Sequence, residues 1–486
     1  MEQHEPHDGQ RNSADVIIID GLPPEEGAMS QSLYSRKPKS ILFLLLQVLK
    51  KGAEGFMKMF YSGYGHNSIG DCGSITLYFE NVSMLAAKAI QAWALYNGQE
   101  ASTRYLDFSG RMMINPLGGW AGTTYLYIPK EKLNAEDVET IDTSFKEMYP
   151  DATDGSIQTP AGAMGRKIQE KWMDFYQRFM PIVKAYVASL NPKSDHEDQA
   201  QYDKAINARA FDIMRAFIPA GMTTLVSWHS NIRQIRDHLA ILKYHPSNEV
   251  ARISQTALEG LGDTYPSSFP KKEYSATEDY FMLRSRKTSY FKPRPTTFNI
   301  DARRFHASIL KENYEELLNN RPPKTELPPE VGEAGTVHVM FNIDFGSFRD
   351  AQRHRKGAAK MPLLTTEIGF HPWYLERLPE EGRKEAEALI AELVPMIKGL
   401  PCSDVDQQYY IPMGFMVVAD FTWTFDQCVY VAELRSSETV HPTFRVHAQA
   451  LGEWIKKVFP KAALHVDWTG DKWSYKRGSQ DIHEKV

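Results

Sequence analysis

The sequence predicts an α/β (α+β) fold arranged as two tandem units, and three observations point there. At 486 residues the chain exceeds what one hydrophobic core usually organises. Short strand-like runs stand among longer stretches of helical spacing. One order of events also occurs twice: strand, helix carrying polar residues, variable insert, aliphatic-Pro break with Gly nearby, then a long helix. Its clearest marker is Phe217-Ile218-Pro219-Ala220-Gly221 in the first half, matched by Tyr410-Ile411-Pro412-Met413-Gly414 in the second.

Taken in order, the polar N-terminus reads as a flexible tail over residues 1–14. Val16-Ile17-Ile18-Ile19 then reads as a strand, and Gly21-Leu22-Pro23-Pro24 as a turn. Helical spacing runs from Lys39 to Met59 and includes ILFLLLQVL (Ile41 to Leu49), which reads as a buried helix closed by Lys50 and Lys51. Tyr78 opens a short strand that passes into an Ala-rich helix ending near Tyr96. Ala205 to Phe217 is amphipathic, and after the Ile218-Pro219 break Thr223 to Tyr244 resumes with helical spacing. Residues 263–300, rich in Pro, Ser and charge, are the linker between units at 15–262 and 301–476. In the second unit Val337 to Ile343 is a strand, Ser347 to Arg355 opens a helix, and Glu380 to Ile397 is another. The break at Tyr409 to Gly414 precedes a helix running to about Arg435, and residues 477–486 form a polar tail.

Composition narrows the function classes. A hydrophobic share of 42% and a charged share of 24% are those of an ordinary globular protein. A formal net charge of −5 gives no overall reason to bind DNA or RNA, so any anion must be met locally. Cys72, Cys402 and Cys428 are odd in number and lack CxxC spacing, which points away from a disulfide framework or a structural metal and towards a reducing, cytoplasmic setting. The Ile41–Leu49 run falls far short of the roughly 20 residues a membrane span needs.

The chemistry-bearing segments decide between duplication and coincidence. Tyr64-Gly65-His66-Asn67-Ser68-Ile69-Gly70-Asp71, followed by Gln99-Glu100-Ala101-Ser102-Thr103-Arg104-Tyr105, resembles the flavin-dependent thymidylate synthase (ThyX-type) family, whose pattern is YGHxSxxEH, then RHR, then SxRY. The first copy has Ala92-Trp93-Ala94 where the family has RHR. The second, Phe341 to Arg355, carries an intact QxxRHR-like element but has KGAAKMPLLTT in place of SxRY. Further on, Arg215 and Asn231-Ile232-Arg233 keep the first copy's early Arg and NxR pair, while Leu242 fills its late Arg slot. The second copy has Gln408 and Thr424-Phe425-Asp426 in those slots but keeps Arg435.

The resemblance therefore implies two thymidylate synthase-complementing-protein-like domains, each with helices packed on a small sheet, that share one composite site. It implies reductive methylation of a dUMP-like nucleotide, with FAD as cofactor and NADPH and methylenetetrahydrofolate as co-substrates. Gln352, Glu100, Ser102, Arg104, Arg215 and Arg435 are then the substrate-binding candidates, with Arg435 and Arg353 closest to catalysis. His66, Ser68, Arg353, His354, Arg355, Asn231 and Arg233 are the cofactor-binding candidates. Arginine suits both tasks because its planar fork of donors fits phosphate and carbonyl edges. The family's assembly implies a homodimer with a pseudo-tetrameric arrangement. Alternatives stay open: a related flavin- and folate-dependent modification such as hydroxymethylation, or a retired nucleotide- or flavin-binding protein. Arg215 could instead pair with Asp212 along its helix, and Arg435 with Glu433 or Glu438.

Overall fold

The computed structural model describes residues 17–37, 39–118, 123–148, 159–292, 294–323 and 325–471. The tails at 1–14 and 477–486, and Val16, lie outside them. Ile17 to Ile19 form no strand; they run irregularly and exposed, because no second strand lies beside them to take their backbone hydrogen bonds. Gly21 does turn the chain, at φ +76°, into helix α1 (Pro24–Tyr34).

Helix α2 (Ile41–Lys51) is capped by Ser40, whose hydroxyl accepts from the Leu42 amide at 3.3 Å, and Gly52 ends it at φ +67°. It is amphipathic and not buried throughout: Leu44 and Val48 are enclosed, whereas Leu42, Leu46 and Leu49 are exposed. A continuous apolar run shows no periodicity, so sequence alone does not distinguish its two faces.

Strand β1 (Ser74–Ser83) pairs antiparallel with β2 (Thr223–Asn231), Ser74 opposite Asn231 and Ser83 opposite Thr223, with an irregularity between Phe79 and Val82. Asn81 sits there at φ +54°, a conformation asparagine tolerates better than most residues. Between the two strands lie α3 (Met84–Gln91), the long α4 (Pro160–Leu190) and α5 (Gln199–Met214). The helix expected to run to Tyr96 stops at Gln91. The helix expected from Thr223 begins only at α6 (Ile232–Leu242), because Thr224, Val226, Trp228 and Ser230 are buried at every second position, the period of a strand. Helix α7 (Asn248–Thr264) follows.

The stretch 263–300 carries α8 (Ser275–Thr288), whose Glu278 takes Lys243 at 2.7 Å, so this charged segment is docked on the first half. Thereafter comes a four-stranded sheet, order β3-β4-β6-β5, from β3 (Asn299–Asp301), β4 (Thr336–Asp344), β5 (Gly357–Lys360) and β6 (Met416–Thr424). Helix α9 (Phe345–Ala351) follows β4, α10 (Glu380–Lys398) follows β5, and α11 (Phe425–Ser436) and α12 (Pro442–Val458) follow β6. As in the first half, the break at Ile411-Pro412 leads into a strand where a helix was expected.

The halves correspond in detail. Ser83 caps α3 by accepting from Ala86, and Asp344 caps α9 by accepting from Ser347. The Met84 amide donates to Met222, and the Phe345 amide to Phe415. The two Pro breaks meet head to tail: Ala220 N–H donates to Ile411 O (2.9 Å), Met413 N–H to Ile218 O (3.0 Å), Gly221 N–H to Tyr409 O (3.1 Å) and Gly414 N–H to Ala216 O (2.8 Å). A Cβ on Gly221 would lie 2.6 Å from the Tyr409 carbonyl, so this approach requires glycine. One apolar core runs through both halves, with Phe175, Phe217 and Met222 in the same cluster as Val339, Phe345 and Phe415. No helix among the described residues is long and apolar enough to cross a membrane.

Candidate functional site

Where the halves meet, a small cleft is lined by Ala101, Ser102, Thr103, Arg104 and Arg215 from the first and Gly346, Arg349, Asp350 and Arg353 from the second. The first set arrives on the loop after α3 and at the end of α5. The second comes from α9 and the turn that follows it. Four residues singled out from the sequence, Ser102, Arg104, Arg215 and Arg353, are thus brought to one place from both halves.

The arginines are held by specific partners. Arg104 donates to Asp212 through Nε (2.7 Å) and Nη2 (3.1 Å), and its Nη2 also reaches the Thr439 carbonyl at 3.1 Å. Burial and then the neighbouring Arg215 pull its pKa down to about 10, which leaves it charged at neutral pH. Asp212 therefore pairs with Arg104 and not along the helix with Arg215. Arg215, only 1% exposed, donates to Ser347 Oγ at 2.6 Å and lies 3.4 Å from Asp344, both across the junction, with Tyr374 Oη at 3.3 Å. Burial alone would lower its pKa, but Tyr374, Asp344 and Asp350 outweigh it and raise it. Gly346 lets this guanidinium come close, since a Cβ there would sit 3.2 Å from its Nε.

Arg435, near the end of α11, donates from Nε to His354 Nε2 at 2.8 Å and from Nη2 to the Asp350 carbonyl at 3.4 Å. Glu433 instead pairs with Arg321, so the surface alternative for Arg435 does not hold. His354 is buried. Desolvation, and then Arg435, push its pKa well below the usual histidine value, so its neutral ring is a hydrogen-bond acceptor. It orients Arg435, where the sequence reading had it on the cofactor.

Two substrate candidates lie behind the lining and not in it. Glu100, 1% exposed, sits between Lys88 (2.8 Å) and Arg349, and also accepts from Gln91 at 2.9 Å. Burial alone would raise its carboxyl, but Arg349 and Lys88 together hold it down to about 2. Gln352 is also buried, its amide on the Lys88 carbonyl at 3.3 Å. In a QxxRHR pattern the position three before Arg353 is 350, and that register places Asp350, and not Gln352, in the cleft. Sequence reasoning also missed Arg349 and Lys88. A lysine inside the apolar helix LAAKAIQ was the available signal.

The remaining cofactor candidates are elsewhere. His66 and Ser68 are exposed on a short helix outside the cleft lining. Asn231 uses its side chain to cap α6, accepting from Gln234 at 2.9 Å, and Arg233 pairs with Asp71 at 2.7 Å. Arg355 crosses to the first half, its guanidinium 4.8 Å from the Tyr96 ring. Its Nε is buried without a hydrogen-bond partner among the described residues.

At the pseudo-equivalent place on the other side of the junction, buried side chains pack against one another. Tyr409 Oη lies 2.7 Å from Glu249 and 2.6 Å from Ser247, and Leu242 is buried where its counterpart is Arg435. Glu249 also accepts from the Ser83 amide at 2.7 Å, and burial pushes its carboxyl up.

In charge the cleft is asymmetric in a useful way. Arg104, Arg215, Arg349 and Arg353 line it with Asp350, and behind them lie Lys88, Arg435, Glu100, Asp212 and Asp344, so in lining and surround together six cations stand against four carboxylates. Such a place favours a dianion with hydrogen-bond acceptors, as a phosphate monoester is.

Comparison with known proteins agrees with this direction. Residues 28–267 match the model of the family described as thymidylate synthase complementing protein. Over nearly the whole length the chain is also similar to UPF0159 proteins. It is 23% identical to one from Chlamydia muridarum, covering 92% of this chain and 90% of that one. It is 22% identical to another from Chlamydia pneumoniae (93% and 91%) and to one from Thermoplasma acidophilum (95% and 99%).

Proposed function

From the match of residues 28–267 to the thymidylate synthase complementing protein family we propose that the chain is a duplicated, flavin-dependent thymidylate synthase-like enzyme with one site between its repeats. The reaction is reductive methylation of dUMP to dTMP, with methylenetetrahydrofolate as carbon donor and NADPH as reductant. The observation that carries this reading is the cleft itself: Ser102, Arg104 and Arg215 from one half face Arg353, with Arg435 beside it, from the other, and the cationic surplus matches a nucleotide monophosphate.

In this reading Ser102, Arg104 and Arg215 hold the phosphate through charge-assisted hydrogen bonds, and Arg435, oriented by His354, addresses the pyrimidine's carbonyl edge. The donor set also fits a flavin dinucleotide: Arg353 is exposed at the cleft edge, and Arg355 carries an unspent buried N–H. Bound there, FAD supplies the hydride chemistry, while the protein's part is to position the pyrimidine and keep water away from it. His66, Ser68, Asn231 and Arg233 lie outside the cleft lining, and in this reading they meet cofactor across an assembly, a homodimer with pseudo-tetrameric arrangement.

The test is direct. Purified protein should be yellow, should bind dUMP with a change in its flavin spectrum, and should release the C5 hydrogen of dUMP when given NADPH and methylenetetrahydrofolate. Protein that takes up no FAD would end this reading, and flavin-bound protein that leaves the C5 hydrogen in place would end the methylation.

A further inference from the structure

We propose that Asp350 is the residue that makes the cleft selective for an imide ring of the uracil type over a cytosine-type ring; this rests on the pyrimidine nucleotide reading above. Asp350 lines the cleft, yet among the described residues nothing donates a hydrogen bond to its carboxylate. Its closest cation is Arg353, whose Nε stands 3.8 Å from Oδ1, an ion pair beyond hydrogen-bond reach. Arg435 is anchored to its main-chain carbonyl at 3.4 Å. A carboxylate with unspent acceptor capacity thus lines the cleft beside the Arg353 guanidinium, with a second guanidinium, Arg435, held on its own backbone.

The carboxylate stays ionised. Burial alone would raise its pKa, but Arg353, Arg435, Arg104 and Arg215, in falling order, outweigh it and hold it far below the usual range. An ionised carboxylate only accepts and a guanidinium only donates, so in this proposal Arg353, Asp350 and Arg435 offer the ring a donor, an acceptor and a donor. The edge of uracil is its complement: O4 accepts, N3–H donates, O2 accepts. Cytosine presents an amino donor to one arginine and an unprotonated N3 to the carboxylate, so two of three positions face like against like. Sites built on buried hydrogen-bonding groups reject such a mismatch strongly, because the groups are left unpaired.

A simpler role for Asp350 is as counter-ion to the surrounding arginines, and the two roles part in one experiment. Dissociation constants for dUMP, dCMP and inorganic phosphate are measured by calorimetry on the full-length protein and on Asp350→Asn. The isosteric amide can present either its oxygen or its NH2, so it meets N3 of either ring and leaves cytosine with the single amino-against-arginine mismatch. The wild type should prefer dUMP over dCMP by about a hundredfold or more, and in Asp350→Asn that preference should fall to within about tenfold. A counter-ion role predicts that the variant binds all three anions tighter by a common factor with the ratio unchanged, and that result overturns the proposal. Should the variant not fold, equal affinity of the wild type for the two nucleotides overturns it. Wild type that binds neither nucleotide sinks the pyrimidine reading and this inference with it, whereas tight dUMP binding with an unchanged ratio sinks this inference alone.

Discussion

Glu100→Gln puts the cross-half ion cluster to the test. Glu100 lies at 1% exposure between Lys88, 2.8 Å away, and Arg349 of the other half. Its replacement leaves two cations facing each other with no anion between them. Removing one partner from a buried ion pair costs about 3–5 kcal/mol, chiefly through the charge left behind. Lys88→Met deletes a cation from the same cluster but leaves Glu100 balanced by Arg349, so it should cost only about 1–2 kcal/mol. For 486 residues melting together through a shared core, the unfolding entropy is about 1 kcal/mol/K. The first variant should therefore melt about 3–5 °C lower than wild type, and the second within about 2 °C. Scanning calorimetry on both decides it. Equal losses would show that charge balance at Glu100 is not what holds this part of the junction.

Arg353→Ala should leave the melting temperature within about a degree, since the side chain is exposed with only a loose ion pair, while weakening dUMP binding at least tenfold by calorimetry. Arg104→Ala differs in kind: it strips the bidentate partner from Asp212, which is fully buried, and should lower stability by about 3 kcal/mol in urea unfolding as well as abolish binding. Burial holds His238 and His447 down to about 4 and His245 to about 3, and His354 and His441 well below the ordinary value of 6.5. Unfolded histidines bind protons below about pH 6.5 and these folded ones do not, so stability should be level above that pH and decline below it. At pH 5.5 each contributes a loss of about 1.4 kcal/mol, read from urea midpoints at pH 7.5 and 5.5; an unchanged midpoint would refute it. Glu249, raised by burial, takes up a proton on folding, so its contribution declines as pH rises above about 4.5. Glu249→Gln should be at least as stable as wild type at pH 8, by calorimetry.

Much of the site was legible where a local pattern carries it. Ser102, Arg104 and Arg353 belong to short motifs whose spacing survives in the chain, and their convergence followed from which copy kept which residue. Gln352 lies behind the cleft because a two-residue offset at a helix end turns the side chain by about 200°; the QxxRHR spacing, three before Arg353, falls on Asp350, which lines the cleft. The structure adds what His354 and Glu100 touch within the protein, Arg435 for the one and Lys88 and Arg349 for the other, since sequence does not say whether a polar residue faces a cavity or the residue beneath it. Thr223 to Asn231 and Met416 to Thr424 are strands that run directly into helices, and a short apolar run beside a helix hides its own period.

The sequence by itself determined that one order of motifs occurs twice, that each occurrence carries different arginines, and that the net charge of −5 leaves no overall attraction for a polyanion. Those features reside in residue identity and order. The tertiary structure alone decided which arginine is spent on which carboxylate: Arg104 on Asp212, Arg349 on Glu100, Arg215 on Asp344 across the junction. Partners 108 to 249 residues apart in the chain are brought together by packing, the two longer-range pairs across the junction of the halves, because an ion pair depends on distance in space and on burial, and neither is written in local order.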